Sequence, residues 1–161
     1  LNDVKIAQAT DIEEKTENII QSDIDLSGIT LLIVDDSKAN RSLIIEFLEP
    51  TNAIIYEAGN GQEALEKAKE IIPDMIFLDI QMPVLNGIDT AKELKAFTPT
   101  AHIPLIAFTA SISFTLKATY TEYGFVDSLL KPVQIAEMFD VFVKHLNIEK
   151  QEIQLSQMNK S

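Results

Sequence analysis

The chain has 161 residues, enough for one domain with a sizeable core but tight for two. Hydrophobic residues make up 46% of it, charged residues 24%, and no run of 18 apolar residues occurs, which excludes a membrane-spanning helix. Cysteine is absent, so a disulfide framework, a thiol nucleophile and a cysteine-ligated metal site are excluded. The net charge of −12 argues against nucleic acid as a partner, because an acidic surface repels phosphates.

Residues 1–27 are predicted to be an acidic linker or leader, and residues 1 to about 25 of it are expected to contribute little to the core. They contain seven acidic residues against two lysines, and their apolar residues are scattered. The chain begins with Leu1 rather than Met, so we expect it to be a piece of a longer protein. Residues 150–161 are predicted to be a polar tail, which leaves residues 28–149 as the folded domain.

Five short apolar runs between these ends are predicted to be β-strands. In chain order they are Thr30–Val34, Ala53–Tyr56, Met75–Leu78, Ile103–Phe108 and Phe125–Leu130. Continuous apolar runs of this length are typical of strands that are buried on both faces of a parallel sheet.

Helical patterns separate the strands. The clearest apolar stripe runs from Ile135 to Leu146 at helical spacing, and the weakest lies between Ser113 and Tyr123. Five strands that alternate with helices predict an α/β fold, a doubly wound five-stranded parallel sheet flanked by five helices. In such sheets the working site lies beyond the carboxyl ends of the strands.

Polar residues stand at four of these strand ends. Asp35 and Asp36 follow the first strand, Asp79 the third, Thr109 the fourth and Lys131 the fifth. Three neighbouring carboxylates repel one another unless a cation offsets them, and Mg²⁺ prefers such oxygen ligands. A carboxylate can also attack phosphorus, with an ammonium and a hydroxyl group stabilising the transferred oxygens. Each residue alone has a structural explanation, such as a helix N-cap for Asp36, but their convergence favours phosphoryl chemistry.

The motifs around these positions resemble the receiver domains of bacterial two-component systems, over residues 28–148. They are Val34-Asp35-Asp36, Asp79-Ile80-Gln81-Met82-Pro83 with Asn86-Gly87, Phe108-Thr109-Ala110 and Leu130-Lys131-Pro132. Asp79 lies 43 residues after Asp36, Thr109 lies 30 after Asp79, and Lys131 lies 22 after Thr109, intervals that also fit the family.

The resemblance implies the flavodoxin-like receiver fold and a metal-dependent phosphoacceptor. Asp79 would take the phosphoryl group from a phosphohistidine. Asp36 would bind Mg²⁺ directly and Asp35 through water, with Asp79 and the backbone carbonyl of Gln81 as further ligands, and Mn²⁺ would be able to replace Mg²⁺. Such a domain catalyses only its own phosphoryl transfer and dephosphorylation, so it is not a conventional enzyme.

The resemblance also implies the surroundings of the phosphoryl group. Thr109 and Lys131 would contact it, and a cis bond between Lys131 and Pro132 would turn the chain after the fifth strand. Ala110 would leave access to Asp79. Gln81 and Ser111 occupy the positions that tune dephosphorylation in the family.

The motifs most resemble receivers that are fused to hybrid histidine kinases. We expect a histidine kinase or a histidine phosphotransfer domain as the phosphodonor or acceptor, and neither nucleic acid nor direct membrane contact for this part of the protein. The expected location is cytoplasmic, whether or not the parent protein is anchored to a membrane. A stand-alone response regulator is the alternative.

One position departs from the family pattern. Receiver domains usually carry an aromatic residue three positions before the lysine, and here that position is Ser128. We expect the usual ring-swing output to be absent, and the change to be carried by the loop after Thr109 and the segment from Ser113 to Tyr123.

Other functional classes fit less well. A haloacid-dehalogenase-type hydrolase needs an acid two residues after the nucleophile, where this chain has Gln81. A dinucleotide-binding fold lacks its glycine motif after the first strand. A degenerate receiver without chemistry is disfavoured because all five polar positions are present, and a histidine phosphotransfer bundle is disfavoured by the strands.

Overall fold

The computed structural model describes residues 24–82, 85–110 and 114–146, with the backbone alone at 114–117. Within these residues, five parallel strands form one sheet in the order β2-β1-β3-β4-β5. The strands are β1 Thr30–Val34, β2 Ile54–Ala58, β3 Met75–Asp79, β4 Leu105–Thr109 and β5 Phe125–Leu130. The helices are α1 Lys38–Leu48, α2 Gly61–Ile71, α3 Gly87–Ala96, α4 Phe114–Glu122 and α5 Ile135–His145. The predicted fold class is confirmed.

The three central strands are buried on both faces, as their unbroken apolar sequences predict. Successive side chains point to opposite faces, so Leu31 packs on one side of the sheet and Leu32 on the other. The first side also holds the buried residues of α1 and α5, and the second side holds those of α2, α3 and α4. This arrangement fixes the sheet as the middle of three layers.

Helices begin close behind the strand ends that carry the polar residues. Ser37 caps α1 by accepting a hydrogen bond from the backbone N–H of Asn40 at 3.3 Å, and Asn86 caps α3 through the N–H of Asp89 at 2.9 Å. Gly87 opens α3 against the end of β3, where an added Cβ would lie 2.3 Å from the carbonyl oxygen of Asp79. Only glycine lets this helix approach the strand so closely.

Two strands begin later than their apolar runs suggested. Ile103 is buried, but its N–H donates to the carbonyl of Thr100 in a turn, so β4 begins at Leu105 instead. Burial without strand pairing produces the same hydrophobic signal as a strand residue. For β2, the strand starts at Ile54 and continues to Ala58, two residues past the predicted end.

The core begins earlier in the chain than the predicted boundary at residue 28. Ile24 and Leu26 are 3% and 0% exposed and pack among the residues of α1, β1 and α5. The backbone N–H of Leu26 also donates to the carbonyl of Thr51 at 2.6 Å. These two apolar residues belong to the core although they lie within the segment that was predicted to be the leader. The rest of the leader and the predicted tail lie outside the described residues.

None of the helices that the structure describes has both the length and the apolar character needed to cross a bilayer.

Candidate functional site

The strand ends bring the predicted site residues together. The register pairs Val34 of β1 with Leu78 of β3, so Asp35 and Asp79 come next to each other one residue further on. Thr109 ends β4, which lies beside β3, and Lys131 follows β5 at the neighbouring position. The site residues are far apart in the sequence, and parallel strand pairing in this order brings them to the same edge of the sheet.

Asp79 lies at the centre of this group and is only 3% exposed. Its Oδ1 accepts a hydrogen bond from the backbone N–H of Gln81 at 3.0 Å, and its Oδ2 lies 2.9 Å from Nζ of Lys131. Burial raises the pKa of Asp79 above the ordinary aspartate value, although the hydrogen bonds from Lys131 and Gln81 act in the opposite direction. The Asp79 carboxylate is thus desolvated, held in one orientation and close to the ammonium group of Lys131.

The acidic pair after β1 completes a three-carboxylate cluster. Asp35 is 1% exposed and Asp36 is exposed, and one carboxylate oxygen from each of Asp35, Asp36 and Asp79 lies within 4.8 Å of the others. Oxygen donors at this spacing fit a hard divalent cation such as Mg²⁺, which takes one or two carboxylates and completes its shell with water and phosphate oxygens. The donor chemistry of the site therefore fits the predicted metal.

Two neighbours hold Asp35 in place. Its Oδ1 accepts from the backbone N–H of Ser37 at 2.8 Å. The guanidinium of Arg41 donates to the backbone carbonyl of Asp35 and also forms an ion pair with Glu57, with 3.1 Å between Nε and Oε1. Arg41 thus links the acidic pair to the end of β2.

Lys131 bridges two of the carboxylates. Its Nζ lies 2.9 Å from Asp79 Oδ2 and 3.2 Å from Asp35 Oδ2. Burial works to lower the pKa of Lys131, but the hydrogen bond to Asp79 and the charges of both carboxylates outweigh it and raise this pKa. The ammonium group is therefore the internal countercharge of the site. The Lys131–Pro132 bond is cis, as predicted.

Thr109 has an aromatic neighbour that sequence reasoning missed. Its Oγ1 lies 3.3 Å from the hydroxyl of Tyr120, which projects from α4 and is 6% exposed. An aromatic residue 11 positions after Thr109, together with the small Ser128 on β5, is the signal that was available in the sequence.

An open pocket of about 340 Å³ contains most of these groups. It is lined by Asp36, Asp79, Gln81, Thr109, Tyr120 and Lys131 among others, and Ala110 also borders it. Pro83 and Ser111 lie outside the described residues, so the roles predicted for them stay predictions. The same is true of the backbone carbonyl of Gln81 as a metal ligand.

Comparison with known proteins identifies this arrangement. Residues 31–142 match the family model described as "Response regulator receiver domain". The chain belongs to this family. Receiver domains act in two-component signalling and bind Mg²⁺ at an acidic site.

A curated relative is the protein-glutamate methylesterase/protein-glutamine glutaminase of Clostridium acetobutylicum. It is 36% identical over 130 residues, which cover 76% of this chain and 37% of that enzyme. The chain therefore spans little more than a third of this relative.

Two solved receiver domains are similar in structure. The receiver of sensor histidine kinase PA1611 from Pseudomonas aeruginosa, which has magnesium in its active-site cleft, superimposes with a TM-score of 0.67 at 26% identity, covering 73% of this chain and 96% of that one. The receiver of Ssk1 from Saccharomyces cerevisiae, solved with the histidine phosphotransfer protein Ypd1, gives a TM-score of 0.64 at 33% identity, covering 68% and 83%.

Proposed function

We propose that Asp79 is the phosphoacceptor of this receiver domain and takes its phosphoryl group from a phosphohistidine. An oxygen of the Asp79 carboxylate forms a bond to phosphorus as the bond from the histidine nitrogen to phosphorus breaks. The observation that supports this most is the buried Asp79 carboxylate, which lies beside both Lys131 and the acidic pair. A nucleophile of this kind needs little activation beyond orientation and charge neutralisation.

The residues around Asp79 have different roles in phosphoryl transfer. Lys131 already contacts Asp79 and Asp35 and can donate to an oxygen of the incoming group, while the hydroxyl of Thr109 donates to another. Asp35, Asp36 and the carbonyl of Gln81 would hold Mg²⁺, and Mn²⁺ would substitute because it accepts the same oxygen ligands. When bound, the metal supplies positive charge that neutralises the phosphoryl oxygens.

Labelling with acetyl phosphate tests this assignment. Intact-mass spectra should show one added phosphoryl group in the presence of Mg²⁺ or Mn²⁺ and none after chelation. Asp79→Asn should abolish labelling, because the amide is a poor nucleophile. Asp140→Asn is the matched control, since Asp140 is exposed on α5 and away from the pocket. Undiminished labelling of the Asp79→Asn protein would refute the proposal.

A hydrolase of the haloacid dehalogenase type is not favoured. The residue two positions after Asp79 is Gln81, whose backbone N–H binds the Asp79 carboxylate and whose side chain cannot act as a general acid or base. The two functions differ in turnover, because a hydrolase releases many phosphates per site from a small phosphate ester.

A second groove supports a protein as the phosphodonor. It has a volume of about 290 Å³, lies between α1 and the chain after β5, and shares Asp35 and Lys131 with the site. Apart from Asn40, the rest of its lining is apolar and includes Leu43 and Val133, and Leu43 is 47% exposed. We propose that a histidine kinase or histidine phosphotransfer domain docks its histidine-bearing helix here, as the similarity to the Ypd1-bound receiver also suggests.

Replacing Leu43 by serine tests docking of the histidine protein separately from phosphoryl transfer to Asp79. Leu43→Ser should slow transfer from a phosphorylated histidine protein by about tenfold, the effect of losing part of one buried leucine. Labelling by acetyl phosphate should be unchanged, because this small donor does not need the groove. Val143→Ser is the control, since Val143 is similarly exposed at 42% but does not line the groove. Equal slowing with both donors would count against docking.

The protein from which this domain comes is proposed to be a hybrid sensor histidine kinase. The support is the likeness to the receiver of sensor histidine kinase PA1611 and the motif resemblance. A stand-alone response regulator is the alternative, and the expected site of action is the cytoplasm.

A further inference from the structure

Tyr120 is the buried polar side chain at the site that the proposed chemistry does not use. Its ring packs edge-to-face on Phe125, with 6.0 Å between the ring centroids, and its hydroxyl lies 3.3 Å from Oγ1 of Thr109. Tyr120 lines both the phosphoacceptor pocket and a smaller pocket of about 120 Å³ near Ser128. Tyr120 therefore separates the site from the outer part of β5.

The packing leaves this hydroxyl little freedom. The Tyr120 side chain belongs to the core cluster on its side of the sheet, and contact with Phe125 fixes the plane of its ring. On β5, Ser128 pairs with Ala107 of β4 and lines the smaller pocket together with Tyr120. The aromatic hydroxyl that meets Thr109 therefore comes from α4 and not from β5.

Either of the two adjoining hydroxyl groups can donate to the other, and the direction decides where the Thr109 hydrogen points. A threonine hydroxyl has one hydrogen and can accept hydrogen bonds through its lone pairs. If the Tyr120 hydroxyl donates to Oγ1, the Thr109 hydrogen has to point elsewhere, and the phosphoryl oxygens on Asp79 are the acceptors that this site would present to it. Chained hydrogen bonds also strengthen one another.

We propose that Tyr120 is a positioning residue for phosphoryl transfer: its hydroxyl donates to Oγ1 of Thr109 and thereby aims the Thr109 hydrogen at the phosphoryl group. The proposal rests on Asp79 as the phosphoacceptor. Tyr120 does not touch the reacting atoms and acts through Thr109 alone, so its effect must disappear when the Thr109 hydroxyl is removed.

A double-mutant cycle tests this dependence. Tyr120→Phe removes only the hydroxyl and keeps the ring contact with Phe125, so the fold should be preserved. Labelling of this variant by acetyl phosphate at saturating Mg²⁺ should be slower by about three- to tenfold, the effect of one lost hydrogen bond. The same change should have no further effect in a Thr109→Val background and its full effect in a Thr109→Ser background, where a hydroxyl remains.

Two measurements separate positioning from a general structural effect. The affinity for Mg²⁺, measured by calorimetry, should be unchanged in Tyr120→Phe, because Thr109 is not a metal ligand. Tyr56→Phe is the matched control, since Tyr56 is exposed on β2 outside the site, and it should label at the rate of the parent protein.

Each outcome decides for or against the inference. Unchanged labelling of Tyr120→Phe overturns it, and so does slowing that persists in full in the Thr109→Val background. If the Asp79→Asn protein is still labelled, the proposed function fails instead. If labelling depends on Asp79 but not on Tyr120, only the positioning role fails.

Discussion

At the scale of single residues, the main electrostatic feature is Lys131 between two buried carboxylates. One ammonium group cannot fully compensate both Asp79 and Asp35, and Asp36 adds a third negative charge within the same cluster. The site therefore keeps an excess of negative charge, which attracts a divalent cation. Lys131 and a cation bound there would compete for the same carboxylate groups.

Replacing Lys131 by methionine should reveal this competition. Lys131→Met should bind Mg²⁺ more tightly, by about tenfold, because a positive charge leaves a partly desolvated acidic site. Labelling by acetyl phosphate should nevertheless slow down, since the cation that contacts the phosphoryl oxygens is gone. Calorimetric titration with Mg²⁺ measures the first effect and intact-mass kinetics the second.

Lys144→Met is the control for that experiment, because Lys144 is exposed on α5. Weaker Mg²⁺ binding by Lys131→Met would mean that the lysine organises the acidic cluster rather than competing with the metal.

The positions of Asp35, Asp36, Asp79, Thr109 and Lys131 could be predicted because parallel topology places every strand end at the same edge. Tyr120 and Arg41 could not be assigned their contacts in the same way. Whether a helical side chain meets a strand end depends on the rotation of the helix about its axis. That rotation is set by packing and cannot be read from a weak apolar stripe such as that of α4.

At the scale of secondary-structure elements, the start of α2 shows how a local sequence sets a helix end. The side chain of Asn60 accepts a hydrogen bond from the N–H of Glu63 at 2.9 Å, and Glu63 Oε2 accepts from the N–H of Gly59 at 3.2 Å. This reciprocal arrangement pairs two backbone donors at the beginning of the helix. The hydrogen bond from Gly59 lowers the pKa of Glu63, with Lys67 adding to the effect and partial burial opposing it.

Glu63→Gln should lower the free energy of unfolding at neutral pH by about 0.5 kcal/mol or less, since the carboxylate is partly solvated. Because the folded-state pKa is lowered, this stabilisation is present above the ordinary glutamate pKa. It is lost as pH falls through the lower folded-state value. Urea unfolding at several pH values measures the difference between the two proteins.

The exposed Glu70 on the same helix provides the control, as Glu70→Gln. A deficit of Glu63→Gln that stays constant down to strongly acidic pH would contradict the charge-assisted cap.

Helix α4 is the element expected to respond to phosphorylation. Among the α4 side chains that the structure describes, those of residues 118–122, Tyr120 is the one that is buried. Beryllofluoride, which mimics the phosphoryl group on Asp79, should change hydrogen exchange in residues 110–123 because Thr109 contacts both the site and Tyr120. Changes confined to the loop after Asp79 would refute this expectation.

At the scale of the whole molecule, the boundary of the domain depends on two residues of the acidic leader. Leu26→Ala should lower the free energy of unfolding by about 2–5 kcal/mol, because Leu26 is fully buried. Deleting residues 1–23 should shift the thermal midpoint by only a few degrees. Thermal unfolding of both variants, with Leu43→Ala as an exposed-leucine control, makes the comparison.

A large loss of stability on deletion of residues 1–23 would show that this segment packs on the domain. The sequence could not reveal the role of Ile24 and Leu26, because two isolated apolar residues among acids carry no periodicity. Their burial follows from the turn into β1, where Ile29 donates its N–H to the carbonyl of Leu26 at 2.9 Å.

The place where the chain enters the core has a consequence for how the domain is attached. The backbone of Leu26 is hydrogen-bonded to that of Thr51 before β1 begins, whereas Asp79 is the last residue of β3. A strand of five residues is about 17 Å long, so Leu26 and Asp79 lie near opposite ends of the sheet. A phosphohistidine held close to Leu26 would have to reach around the domain to meet Asp79, whereas one on a separate molecule could approach the Asp79 end of the sheet directly.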